Sequence, residues 1–499
     1  MRKYSLIKIL SLLAFVFVGC EDAIEIDQPG RLDADAAFQT VEDLQSGLYG
    51  VYDDTDLTQE IQFSAIFTDE LAIGFSNGGQ GISDYGFVLN AGSDAPQAFW
   101  TRWYTAINSA NRVLEAAETI MPAEGEESLY NDILGQTYAL RAFAHFQLES
   151  YFTTDYTDDS ALGVIALDYV PTIDQQLLRN TNGEVFALIK SDLDKAQNLI
   201  SYQSNATFIS KDFVLALKAR MAAYRQNYTE AATYASTLLG RYPLADRTEY
   251  AAMFADQDNT EIIFKLERAK GDNYDGQGST GSAFAGGWAG ANFAFGGPDL
   301  AGSPYFEIGR SLYNALDMDD VRYDVNVSPT SVIDPNYPDA DNYTADDILI
   351  VNKYRGSEGV PLMNDLKVFR SSEMLFILAE ARADAGTING ANSTASLIKQ
   401  IRDARFGTDT ELPTYANKAE AFGAILDESR IEFAFEGHRY KDLKRLGERA
   451  NRQITKDPLD CGFNGACTLS PNDYRFTLPL PIIEFNGNPG LREQQNPGY

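Results

Sequence analysis

Histidine is nearly absent from this chain, with His145 and His438 the only two in 499 residues. That supply excludes a histidine-rich metal centre and leaves almost nothing for a histidine-dependent nucleophilic triad. Cysteine is scarce too, limited to Cys20, Cys461 and Cys467. Positive charge is in short supply: 40 basic residues stand against 72 acidic ones, a net charge of −32. No basic stripe offers a nucleic acid its footprint, and a polyanionic ligand meets repulsion over most of the surface, so neutral ligands are favoured. There is no G-x-S-x-G elbow. The glycine-rich words GGQG and GQGSTG lack the Lys-Ser/Thr of a phosphate loop. Asp339, Asp341, Asp346 and Asp347 form an acidic loop without the glycine and terminal glutamate of an EF-hand, which reads as a solvated loop before a calcium site. Asp317, Asp319, Asp320 and Asp324 around Arg322 read as caps and ion pairs. No cofactor or metal is expected, and no catalytic residue is singled out. What is present is globular: 44% hydrophobic and 22% charged residues over a length that permits a large core.

The single long apolar run, Ile9–Val18, follows Arg2, Lys3 and Lys8. It has the length of a secretory leader, too short to span a bilayer comfortably. Residues 1–19 are therefore expected to be a signal peptide, and Val18-Gly19-Cys20 resembles the lipobox of bacterial lipoproteins, with Cys20 as the lipidated first residue. Glu21, Asp22, Glu25 and Asp27 follow directly, resembling a surface-export signal of Bacteroidetes lipoproteins. With Cys20 acylated, Cys461 and Cys467 remain to form a structural disulfide across a short loop containing glycine and asparagine. Residues 20–36 read as a tether broken at Pro29-Gly30.

Beyond it the apolar spacing is helical. A first helix is expected over Asp35–Tyr49. A second is centred on Trp100, Trp103, Tyr104, Ile107 and Leu114, where the tryptophan pair reads as core. Others are expected over Tyr130–Tyr151, with His145 packed inside, and over Asn182–Ile200, Lys211–Gln226, Tyr228–Leu239, Ser371–Ala385, Thr394–Phe406 and Ala419–Phe435. Lys211–Gln226 and Tyr228–Leu239 form an alanine-rich hairpin carrying Ala219, Ala222, Ala231, Ala232 and Ala235, a tetratricopeptide-like unit. Between Pro243 and Arg370 the pattern breaks into loops, with strands expected at Glu261–Leu266 and Asp346–Tyr354. The stretch Glu428–Gly447 places Ile431, Phe433, Phe435, Tyr440, Leu443 and Leu446 at helical steps. Between them lie charges able to pair at i,i+3 and i,i+4, with Gly437 as a break. It reads as a packed C-terminal hub.

The words SRIEFAFEGHRYKDLKRLG and NPGLREQQNPGY, together with W-x-x-W-Y-x-x-I-N-x-A-N from Trp100 to Asn111, resemble the SusD/RagB family of outer-membrane glycan-binding lipoproteins of Bacteroidetes. The resemblance covers nearly all of residues 20–499. It implies a mostly α fold in which tetratricopeptide-like helix pairs support an irregular, loop-rich subdomain with a few short strands. Residues 37–499 are one SusD-like domain, with the loop-rich insertion at about 243–370. It further implies a protein that is not an enzyme. Such a protein is held at the outer membrane by the lipid on Cys20, faces the cell exterior, and acts as the lid of a SusC-like TonB-dependent transporter.

An oligosaccharide site needs flat aromatic faces for the apolar face of each ring and polar side chains for the hydroxyls. Two loops carry both. Residues 74–94 hold Phe75, Asn77 and Tyr85, and residues 271–306 hold Tyr274, Trp288, Asn292 and Phe293. These seven are the expected ligand contacts, Trp288 first, since it is the one tryptophan outside the Trp100/Trp103 helix. A neutral glycan is the expected ligand. The alternatives are an extracellular glycoside hydrolase or lyase, or a transporter partner that handles peptides or serves structure alone.

Overall fold

A computed structural model describes residues 37–201, 205–270, 288–293, 304–340 and 346–499. The leader, the tether, Cys20, Tyr274 and Asp341 lie outside the described residues. Helices α1 (Val41–Asp54), α2 (Thr58–Phe67), α3 (Asp94–Ala117), α4 (Glu127–Phe152), α5 (Asn182–Leu199), α6 (Lys211–Tyr224) and α7 (Tyr228–Leu239) precede the loop-rich region, and α8 (Arg247–Phe254) lies at its start, where a loop was expected. After it come α9 (Ser371–Asp384), α10 (Thr394–Phe406), α11 (Lys418–Glu432) and α12 (Arg439–Ala450). The chain is mostly helical, as expected. Among the described residues no helix is long and apolar enough to cross a membrane.

Side-chain caps decide where several helices begin. Thr40 accepts the Asp43 N–H while the Asp43 carboxylate accepts the Thr40 N–H, a reciprocal capping box. That is why α1 starts at Val41 rather than at the expected Asp35. Thr181 with Glu184, and Asp246 with Glu249, open α5 and α8 in the same way. Successive helices pack side by side, α3 on α4, α4 on α5, α6 on α7 and α7 on α9. Ala219, Ala222, Ala231 and Ala235 are buried where α6 and α7 approach, and Ala232 sits at the edge of the contact. Helix α4 is buried on every side over most of its length, which is the position of a central helix. Trp100, Trp103 and His145 are core residues, as read from the sequence. His145 Nδ1 donates to the Arg141 carbonyl at 2.9 Å, and Nε2 accepts the Leu167 N–H at 3.1 Å. Burial pushes its pKa down to about 3, so the ring is neutral.

Strands are short and paired across long sequence separations. β1 (Leu71–Ile73) is antiparallel to β3 (Phe306–Ile308), and β2 (Ile262–Leu266) to β4 (Leu366–Arg370). β5 (Ile454–Thr455) pairs with β6 (Thr468–Leu469). The strand expected at Asp346–Tyr354 does not form. That segment makes only single bridges, Ile348 to Val332 and Val351 to Val327. Side chains take the backbone groups a ladder would use: Asp347 accepts the Asp334 N–H, and Glu307 accepts the Leu349 N–H.

The C-terminal hub is an ion cluster. Arg405 donates to Glu261 at 2.6 Å and to Glu432 at 2.8 Å, all three side chains fully buried. Arg370 reaches Glu432 at 2.8 Å, Glu436 at 2.9 Å and Glu261 at 3.1 Å. Lys353 adds a contact of 2.6 Å to Glu436. Between α11 and α12 the chain turns at Phe435 (φ 63) and Gly437 (φ 83), the expected break. Burial raises the pKa of Glu432, but Arg405 and Arg370 outweigh it and hold the carboxyl well below the usual range. Its contribution to stability is therefore present above the ordinary carboxylate pKa and is lost as pH falls through the depressed folded value. Arg405→Ala, which leaves Glu432 and Glu261 short of a partner, is expected to lower unfolding free energy by about 3–5 kcal/mol. Arg452→Ala, which removes a partly exposed pair with Asp427, is expected to cost under about 1 kcal/mol. Urea denaturation midpoints of the two variants compare these costs directly.

Candidate functional site

A groove of about 750 Å³ opens between α2, α3 and the loop after β1. Helical spacing builds its walls. Gln59, Gln62, Phe63 and Ile66 recur at i, i+3, i+4 and i+7 along α2, and Asp94, Ala98, Arg102 and Thr105 share a face of α3. Gln80, Gly81 and Asp84 close one side and Phe306 contributes from β3. The floor rings Phe63, Phe99 and Phe306 are buried. The rim is thus amides, carboxylates and one guanidinium over an apolar base. Asp54, Asp84 and Asp94 outnumber Arg102, so the groove carries the negative sign of the whole chain.

The loop wall is pinned by its own side chains. Asn77 Oδ1 accepts the Gly79 N–H, while Nδ2 donates to the carbonyls of Gln80 and Tyr305 at 3.0 and 2.9 Å. Glu307 Oε1 accepts the Phe75 N–H at 2.9 Å. Gly81 has φ +63, and a Cβ there would lie 2.8 Å from the Phe306 ring, so both backbone and space demand glycine. Under the groove, Trp103 Nε1 donates to Glu60 Oε1 at 2.5 Å. Burial pushes Glu60 up to about 7, with the neighbouring Asp56 adding to the rise.

The residues expected to touch ligand fall into two groups. Phe75 is 59% exposed and presents a free ring. The others described are committed to the interior. Tyr85 is buried, donates to the Asp460 carbonyl at 3.0 Å, and has the Lys456 ammonium 3.5 Å from its ring centroid. Asn77 is buried and consumed by the loop bonds above. Asn292 Nδ2 donates to the Thr58 carbonyl at 2.9 Å, and Phe293 lies 16° from parallel with Tyr354 at 6.2 Å. Trp288 is only 6% exposed, with its indole N–H unpartnered among the described residues. Glycines beside Trp288 and Phe293 give these rings no local cover, and long-range packing buries them instead. Tyr274 cannot be placed. Gln59, Gln62 and Gln97, which line the groove, sit on helices rather than in the aromatic loops, and their helical spacing is the signal the sequence carries for them. Cys461 and Cys467 are joined, with Cα atoms 5.2 Å apart.

Among the described residues no three His, Cys, Asp or Glu side chains converge as metal ligands. In the acidic loop Asp347 is buried against Arg310 at 3.0 Å. Neither histidine reaches the groove, since His438 stacks on Phe433 at 4.4 Å.

The family profile described as "SusD family" matches residues 351–499. A second, described as "Starch-binding associating with outer membrane", matches residues 25–224. A relative from Formosa agariphila, SusD-like protein P2, is 25% identical over an alignment covering 100% of both chains. Among solved structures, the surface glycan-binding protein A of Bacteroides fluxus aligns with 92% of this chain and 100% of its own at TM-score 0.69 and 22% identity. A laminarin-binding SusD-like protein aligns with 93% of this chain and 100% of its own, at TM-score 0.68 and 19% identity.

Asp84 is a test of the groove's electrostatics. Burial and the nearby Asp94 push its pKa up to about 6. The folded state then holds a proton that the unfolded chain has lost between about pH 4 and 6, so this group's contribution to stability falls as pH rises through that window. Asp84→Asn is expected to raise the urea midpoint at pH 8, by the equivalent of about 1–2 kcal/mol, and to leave it nearly unchanged at pH 4.

Proposed function

We propose that this chain is a SusD-like carbohydrate-binding protein whose groove between α2 and α3 takes a neutral oligosaccharide. The observation that carries this reading is the groove's chemistry. Side-chain amides of Gln59, Gln62, Gln80 and Gln97, with Asp54, Asp84, Asp94 and Arg102, offer donors and acceptors to hydroxyls above a base of aromatic rings. The excess of carboxylates favours neutral glycans over uronates or sulfated chains. The names of the glycan- and laminarin-binding neighbours support the same ligand class.

Binding, not turnover, is the proposed activity. The protein holds the oligosaccharide at the cell surface, anchored in the outer membrane by lipid at Cys20, and serves as the lid of a SusC-like TonB-dependent transporter. The lipobox-like Val18-Gly19-Cys20 supports the anchor, and the family description naming the outer membrane supports the location. The rival reading, a glycoside hydrolase or lyase, requires product release.

Titration of the purified full-length chain against neutral and acidic polysaccharides tests both. Binding without new reducing ends is expected for a neutral glycan, weakened about tenfold or more by Gln62→Ala combined with Gln97→Ala, as for two lost hydrogen bonds. Release of oligosaccharide products would replace this reading with the hydrolase, and lack of affinity across the panel would remove the ligand role. Cys20→Ala is expected to move the protein from the membrane fraction to the soluble fraction on fractionation of the producing cells.

A further inference from the structure

The short helix Ile82–Tyr85 has two working flanks. Asp84 faces the groove. Tyr85, one residue on, is buried on the other side, where its ring lies 14° from parallel with Phe463 at a centroid distance of 6.0 Å. Phe463 itself is 60% exposed. It stands at the tip of the loop closed by the Cys461–Cys467 disulfide.

Single exposed apolar residues are common and usually mean nothing. Phe463 differs in being held. The six-residue separation of the cysteines closes the loop tightly. Gly465 N–H donates to the Cys461 carbonyl at 2.8 Å, and Asn464 Oδ1 accepts the Ala466 N–H at 2.9 Å. The Tyr85 hydroxyl ties the other end, donating to the Asp460 carbonyl at 3.0 Å. One ring face is therefore turned toward Tyr85, and the face away from it is left to solvent. Gly462 and Gly465, both exposed, add no side chain that would cover it. The neighbouring polar group is the Asn464 amide, whose Nδ2 would lie 3.6 Å from a Cβ at Gly86.

A flat ring, fixed in advance, is the arrangement that receives the apolar face of a sugar. A protein partner of ordinary affinity covers a broad patch of some 800 Å² on each side, whereas this feature is the size of one ring. We propose that Phe463 and the disulfide-closed loop form an outer subsite that extends the groove across the helix Ile82–Tyr85 and stacks a further sugar ring of a longer oligosaccharide. The proposal rests on the oligosaccharide reading of the groove and adds to it a dependence on chain length.

The test titrates the full-length chain, purified in detergent, with malto- and laminari-oligosaccharides of graded length from the disaccharide upward. Phe463→Ala is expected to weaken binding of the longer oligomers about tenfold, as for loss of an aromatic contact, and to leave the shortest binding oligomers unchanged. Phe463→Trp, which keeps a flat face, is expected to retain the wild-type length dependence, and unchanged circular dichroism shows that both variants fold. Equal affinity of Phe463→Ala and wild type at every length, while Gln62→Ala with Gln97→Ala weakens binding, would overturn the outer subsite alone. Failure of the wild type to bind any oligomer would overturn the groove reading and the subsite with it. Loss of a co-purifying outer-membrane protein from Phe463→Ala, with glycan affinity intact, would reassign the ring to a protein contact and overturn the proposal.

Discussion

The buried contact of Glu432 with the guanidinium groups of Arg370 and Arg405 is the constraint on which the other parts of the molecule depend. Glu432 ends α11, Arg405 ends α10, Arg370 closes β4, and Glu261 stands just before β2. The four residues come from the helical scaffold and from both ends of the loop-rich region, and they meet where water is excluded. Each charge removed from water costs several kcal/mol unless it is matched, so the segments carrying these charges have little freedom to settle elsewhere. Arg322, paired with Asp320 and with Glu428 at 2.7 Å, extends the same logic into the region between β3 and β4. Hydrophobic burial supplies the larger part of the stability. The ion cluster supplies the registration.

That registration matters for the groove. Its walls are helices α2 and α3, whose far faces are packed into the core through Ile61, Trp100 and Trp103. The loop wall is tied down by Asn77 and Glu307 rather than left to wander. A ligand therefore meets polar groups already placed, and the ordering cost of binding is reduced. The negative rim works in the same direction as the charge of the whole chain, selecting against anions before any specific contact is made.

Much of the fold was legible because helical periodicity is local. Tyr228–Leu239 and Thr394–Phe406 have the boundaries that apolar spacing and capping residues indicate, and the Gly437 break falls where glycine interrupts a run of large side chains. The C-terminal charges were misread in their partners. Helical spacing offers Arg430, Glu432 and Arg439 partners three or four residues away, whereas the pair of that spacing that forms is Asp442 with Arg445, at 2.8 Å. Glu432 instead meets Arg405 and Arg370, 27 and 62 residues away, and Arg430 and Arg439 meet Asp69, 361 and 370 residues away, relations that helical spacing does not encode. The site was less legible for the same reason. Whether Tyr85, Trp288 or Phe293 ends inside or outside depends on Asp460, Tyr354 and other distant neighbours, not on the glycines beside them. Phe463, in a loop read only for its cysteines, went unnoticed as a ring.

The C-terminal hub and the groove also share a root. Asp69, two residues before β1, accepts from Arg439 at 2.9 and 3.0 Å and lies 3.5 Å from Arg430. Burial opposes its charge, but Arg430 and Arg439 hold its pKa down to about 2. The adjacent Glu70 has only the Phe435 N–H at 3.1 Å on one oxygen, the other being without a partner, and burial pushes it up to about 7. The signs are opposite. Asp69 stabilises the fold at all pH above the ordinary carboxylate range, a contribution lost only in strong acid, whereas the contribution of Glu70 falls as pH rises from about 4.5 to 7. One carboxylate therefore carries the charge for two guanidiniums, and its neighbour accepts the Phe435 N–H at the positive-φ turn. The strand that opens the groove loop is thus fixed to the α11–α12 corner by the Asp69–Arg439 ion pair and the hydrogen bond from Phe435 to Glu70. Only β1 and Gly74 separate Phe75, at the start of the groove loop, from Glu70 at that corner.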